Sequence, residues 1–90
     1  MSTVYLNGEY LSKDRATISV DDRGFLLSDG IYEVTSAYRG RLFRMDRHKA
    51  RLKSGLAALR IDYDTVGLEE VHERLLAEND LTDEDVATIY

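Results

Sequence analysis

The sequence contains no cysteine. Disulfides and thiolate metal sites are therefore excluded, and nothing about redox compartment follows from them. It also contains no proline, no Ser/Gly-rich linker, no low-complexity tract and no internal repeat, so no internal boundary divides it. The two histidines, His48 and His72, stand too far apart for a metal motif, and no metal site is expected. No apolar run approaches the roughly 20 residues needed to span a bilayer. The opening stretch MSTVYLNGEY has neither a basic start nor an apolar h-region, so it does not read as a signal peptide and a cytoplasmic location is expected. At 90 residues with 43% hydrophobic content, the chain makes one small globular domain, burying only about 60–65% of its unfolded surface.

What is present is an uneven charge. The formal net charge is −5. Residues 39–60 nevertheless carry eight basic residues (Arg39, Arg41, Arg44, Arg47, Lys49, Arg51, Lys53, Arg60) against one acid, Asp46. A basic island of this kind attracts anions, while the acidic remainder repels nucleic acid and anionic membranes. Arg47 and Arg51 lie four residues apart, a like-charge pair on a helix that a bound phosphate would relieve. A guanidinium fork matches phosphate oxygens, but charge and spacing do not choose between these two arginines. Residues 62–85 hold ten acids opposed by Arg74 alone; they read as a solvated face and lack calcium-loop spacing. Asp21-Asp22 reads as a turn former, and Ser36, His48 and Asp46 form no nucleophilic triad.

The pattern along the chain is α+β. Val4 to Leu11 reads as a hairpin around Asn7-Gly8, a strong type I′ signal. Ala16 to Val20 reads as a short strand, and Asp21 to Gly30 as a loop rich in turn residues. Ile31 to Tyr38 alternates, with Tyr32, Val34, Ser36 and Tyr38 on one face and Ile31, Glu33, Thr35 and Ala37 on the other. Arg39-Gly40 turns the chain, and Arg41 to Met45 returns as the paired strand. Asp46 is the expected N-cap of a helix from Arg47 to about Leu59, with Ala50, Leu52, Leu56 and Leu59 inward. Thr65 is expected to cap a second helix, Val66 to about Glu78, with Leu68, Val71, Leu75 and Leu76 inward. Asn79-Asp80 ends it, and Val86 to Tyr90 reads as a last strand. That strand has no turn or polar tail after it, so the chain is expected to be a fragment of a longer protein.

Asp22 to Ile61, DRGFLLSDGIYEVTSAYRGRLFRMDRHKARLKSGLAALRI, closely resembles the N-terminal domain of class IV aminotransferases, the fold-type IV enzymes that use pyridoxal phosphate. Asp22-Arg23-Gly24-Phe25 and Ser28-Asp29-Gly30 match the family's D-R-G-F/Y and D-G elements, with Ser28 where glycine or alanine is common. Ile31-Tyr32-Glu33-Val34 resembles the strand that lines the substrate pocket. His48-Lys49-Ala50-Arg51-Leu52 matches the family's H-x-x-R-L segment. The resemblance implies that Arg51 binds the cofactor phosphate, that Tyr32 sits near cofactor and substrate carboxylate, and that Val34 borders a side-chain pocket. His48 takes a packing or supporting role, and Glu33 none beyond the motif.

Tyr32-Glu33-Val34 is closer to D-amino acid and R-amine aminotransferases than to branched-chain enzymes, which continue from the glutamate with glycine. The implied reaction moves an amino group from a D-amino acid or R-amine to a 2-oxo acid. Such enzymes also need a lysine that forms a Schiff base with the cofactor and shuttles protons. Lys13, Lys49 and Lys53 match no such position, so no catalytic residue is assigned and the chain alone is expected to be inactive. The resemblance implies that a C-terminal catalytic domain supplies the lysine and that the complete protein is a homodimer. The alternatives are a branched-chain aminotransferase or aminodeoxychorismate lyase of the same fold, and a free-standing anion-binding or interaction module.

Overall fold

The computed structural model describes residues 2–90. Two antiparallel sheets and three α-helices form an α+β domain, with strands first, then the two longer helices, then a final strand. The first sheet is the hairpin β1 (Thr3–Leu6) and β2 (Glu9–Ser12), paired Thr3 to Ser12 through Leu6 to Glu9. Its turn falls at Asn7-Gly8, both at positive φ (52° and 86°), as a type I′ turn requires. The edge of β1 is closed by a side chain. Asn79 Oδ1 accepts from the Thr3 N–H, and Asn79 Nδ2 donates to the Thr3 carbonyl, each at 2.9 Å.

After a 3₁₀ turn at Lys13–Arg15, the segment expected as a strand, Ala16 to Val20, is unpaired, and its two large apolar residues are exposed. Alternation alone cannot hold a strand that has no neighbour to complete its ladder. The expected loop holds a short helix, α1 (Arg23–Leu27). Asp22 caps it by accepting the Gly24 and Phe25 N–H groups at 2.9 and 3.3 Å, and Ser28 closes it in the left-handed region.

The second sheet orders β4-β3-β5. Its centre is β3 (Thr35–Tyr38), flanked by β4 (Arg41–Leu42) and β5 (Ala87–Ile89), both antiparallel. Ladder pairing begins only at Thr35; Ile31 to Val34 is unpaired. The expected alternation holds throughout, with odd positions turned inward and even positions outward. β4 is shorter than the expected Arg41–Met45. Arg44 adopts the left-handed conformation and opens α2 (Met45–Leu59) without a side-chain cap. Asp46 is therefore not the N-cap; it lies in the first turn, where a carboxylate complements the helix dipole.

α2 closes with Arg60 at φ 56° and the Ile61 N–H bonded to the Leu56 carbonyl at 2.9 Å, a Schellman arrangement. Leu56 is buried and Leu52 half-buried, but Ala50 and Leu59 are exposed. α3 (Leu68–Glu78) begins later than expected, with Gly67 rather than Thr65 at its N-cap. Asp64 Oδ1 takes the Val66 N–H at 3.0 Å and holds that stretch in a turn, and Thr65 is buried. Asp80, at φ 56°, ends α3 as expected. Ala37, Leu76 and Ala87 form a small core that Leu42, Leu81 and Ile89 cover.

Candidate functional site

The site lies where the extended Ile31–Val34 segment meets α2. Gly55 permits the approach: a Cβ there would stand 3.1 Å from both Ile31 Cδ1 and Ile31 Cγ2. Alternation turns Glu33 inward, toward the face of α2 that carries His48 and Arg51 one turn apart.

Glu33 is the centre of the arrangement. Arg51 Nε donates to its Oε2 and Arg51 Nη2 to its Oε1, each at 2.8 Å, the parallel fork-to-carboxylate pairing. His48 Nδ1 lies 2.7 Å from Oε1. The Arg51 hydrogen bonds, followed by the His48 hydrogen bond, lower the Glu33 pKa from 4.5 to about 2, against the opposing effect of desolvation. A carboxylate ionised at neutral pH can only accept, so Nδ1 of His48 carries the proton in this contact. The Glu33 and His48 side chains are 15% and 19% exposed, whereas that of Arg51 is 71% exposed. Arg51 is thus gripped at one edge and open at the other. Its Nη1 has no protein partner among the described residues.

Two clefts meet at Arg51. One, of about 320 Å³, is lined by Gly30, Ile31, Tyr32, Glu33, Arg51, Leu52 and Gly55. The other, of about 270 Å³, is lined by Arg44, Arg47, His48 and Arg51. Arg44 and Arg47 have no carboxylate within ion-pair distance among the described residues, so the basic island opens onto this side of the site. A larger cavity of about 410 Å³ runs between β1, α3 and β5. Lys13 is its one charged lining residue, and it lies apart from the Glu33 cluster.

The structure brings two of the three sequence-chosen residues, Tyr32 and Arg51, to one cleft. Val34 projects from the same face as Tyr32 but does not line that cleft. The Tyr32 ring stacks on Tyr90, with centroids 5.4 Å apart and planes 12° apart. Lys49 is tied to Glu69 at 2.8 Å, which lowers the Glu69 pKa. Among the described residues, no cluster of His, Cys, Asp or Glu is placed to hold a metal ion. Among the described residues, no helix is long and apolar enough to cross a membrane.

Glu33 is the residue that sequence reasoning passed over. The signal was present: a charged residue at an inward position of an alternating strand must find a partner, and His48 and Arg51 offered one helix face of donors.

Residues 30–90 match the family model described as amino-transferase class IV. The chain belongs to that family. It is 37% identical over 83 residues to a D-alanine aminotransferase of Staphylococcus epidermidis, a match covering 90% of this chain and 29% of that protein. It is 35% identical over 83 residues to the D-alanine aminotransferase of Staphylococcus haemolyticus, with the same coverage of each. It is 36% identical over 80 residues to that of Listeria monocytogenes, covering 87% of this chain and 28% of the relative. The chain thus spans less than a third of the length of these relatives. The family resemblance seen in the motifs is borne out, including its D-amino acid branch.

Proposed function

We propose that these 90 residues form the small domain of a cytoplasmic, pyridoxal-phosphate-dependent aminotransferase. It moves an amino group from a D-amino acid, or an R-amine, to a 2-oxo acid. Similarity to D-alanine aminotransferases supports the D-amino acid donor. The lysine that bonds the cofactor comes from a C-terminal domain outside this sequence, a homodimer completes the site, and this chain alone is inactive.

The observation that carries the reading is the state of Arg51. A phosphate monoester needs charged N–H donors on a side chain already fixed in place. Arg51 has its Nε and Nη2 edge clamped by Glu33, its Nη1 without a protein partner, and a cleft beside it shared with Tyr32. The residues present therefore fit the cofactor phosphate. Pyridoxal phosphate, when bound, supplies the electron sink that labilises bonds at the amino-bearing carbon. Arg51 would hold the phosphate by charge-assisted hydrogen bonds. Tyr32 would present its hydroxyl toward the substrate carboxylate, and Val34 would limit the space open to the substrate side chain.

The test is an Arg51→Ala change in the full-length protein. Cofactor affinity should fall by roughly tenfold to a hundredfold, as expected for loss of one or two charge-assisted contacts. Unchanged affinity and occupancy would remove Arg51 from the phosphate site. A panel of D-alanine, L-alanine, an R-amine and branched-chain donors with a 2-oxo acid then assigns the reaction. Pyruvate released without any amino acceptor would identify a lyase instead.

A further inference from the structure

The proposed function starts from an Arg51 already held by Glu33; what that grip contributes to binding is a separate matter. Its carboxylate is largely buried and accepts two bonds from one guanidinium, with the His48 ring at hydrogen-bond distance as well. A single hydrogen bond would let a long exposed side chain pivot; two parallel ones fix the plane of the guanidinium. His48, one turn earlier on α2, contacts the same oxygen as Arg51 Nη2, so the carboxylate is itself held in place.

We infer that Glu33 is a positioning residue, which clamps the Nε–Nη2 edge of Arg51 so that Nη1 stays available to an incoming phosphate monoester. This rests on the phosphate reading of Arg51. The alternative is that Glu33 merely cancels the charge of Arg51 and so opposes anion binding.

Magnitudes separate the two. Freezing an unclamped arginine on a phosphate weakens binding by up to roughly thirtyfold through lost rotamer freedom. Repulsion between Glu33 and a phosphate on the solvent side of Arg51, whose side chain is 71% exposed, weakens it by about threefold at the dielectric of water. The clamp outweighs the repulsion, so removing the Glu33 charge leaves phosphate binding weaker by up to roughly tenfold.

The experiment titrates pyridoxal phosphate and phosphate-free pyridoxal against the full-length protein. Wild type is compared with Glu33→Gln, Arg51→Ala and the double variant, at low and physiological salt. Glu33→Gln is expected to bind pyridoxal phosphate more weakly, by up to about tenfold, and pyridoxal as wild type does. The change should have no further effect in the Arg51→Ala background, as for two residues acting through one contact. Exchange of the Arg51 Nε–H, followed by NMR without cofactor, should be slow in wild type and fast in Glu33→Gln.

Glu33→Gln binding pyridoxal phosphate as tightly as wild type, or tighter, would overturn the positioning role while the phosphate reading stood on Arg51→Ala. Equal weakening toward both ligands would show a merely structural role and overturn it too. Wild-type affinity in Arg51→Ala would overturn the phosphate reading itself. Should Glu33→Gln fail to fold, Glu33→Asp keeps the charge but is too short to reach both nitrogens, and it should show the same phosphate-selective loss.

Discussion

At the scale of single residues, Glu33 and Asn79 each tie separate parts of the chain together. Glu33 is ionised down to about pH 2 in the folded state, against 4.5 without its partners. Between those values the unfolded chain binds more protons than the folded one, so stability falls as pH drops through that window and is fully present above it. Urea midpoints measured from pH 6 down to pH 2 should therefore fall less steeply for Glu33→Gln than for wild type. Parallel curves would mean that the Arg51 and His48 contacts do not persist in solution. Asn79 spans the ends of the sequence, donating to the Thr3 and Leu75 carbonyls and accepting from the Thr3 N–H. Asn79→Ala leaves the half-buried Thr3 N–H and carbonyl short of partners, while the Leu75 carbonyl keeps the Asn79 N–H, and should cost roughly 2 kcal/mol. Faster hydrogen exchange confined to β1 and β2 would locate the loss.

At the scale of elements, left-handed turns punctuate the fold, and not all of them belong to glycine. Asn7, Ser28, Arg39, Arg44, Arg60 and Asp80 all have φ between 51° and 56°. The two hairpin glycines provide an internal comparison. At Gly8, φ 86°, an added Cβ would meet nothing within 4 Å, whereas at Gly40, φ 78°, it would stand 3.1 Å from the Thr82 carbonyl oxygen. Gly8→Ala should therefore cost only the conformational penalty of about 1 kcal/mol, and Gly40→Ala more than that. Denaturant midpoints of the two variants decide it; equal losses would show that the Thr82 contact relaxes freely. Helix starts follow the same local chemistry. Asp22 caps α1 through its side chain, while α2 and α3 begin from left-handed residues with no side-chain cap.

At the scale of the molecule, the domain is flat. Its radius of gyration is 13.9 Å and its extents are 37 × 31 × 19 Å, against about 12 Å for a compact domain of this length. Among the described residues four hydrophobic side chains are buried, while Phe25, Leu27, Tyr32, Val66 and Tyr90 are each at least two-thirds exposed. Apolar surface on this scale drives association. The isolated chain should sediment as concentration-dependent oligomers. Phe25→Ser with Leu27→Ser should reduce that association with little change in urea midpoint, because both side chains are already exposed at 68%. Undiminished association with an unchanged midpoint would place the sticky surface elsewhere.

The sequence by itself determined the α+β class, both hairpin turns, the inward and outward faces of Ile31–Tyr38, two long helices with Asn79-Asp80 ending the second, and the family. These rest on local chemistry: backbone conformations that Asn-Gly and Arg-Gly tolerate, side-chain alternation, and helical spacing. Only the tertiary structure decided that Ala16–Val20 pairs with nothing, that Arg44 and Gly67 rather than Asp46 and Thr65 open α2 and α3, and that Glu33 grips Arg51 and His48. The first and the last of these depend on which neighbour arrives. A strand needs a partner ladder and an inward carboxylate needs its hydrogen-bond donors, and those lie 15 and 18 residues further along the chain.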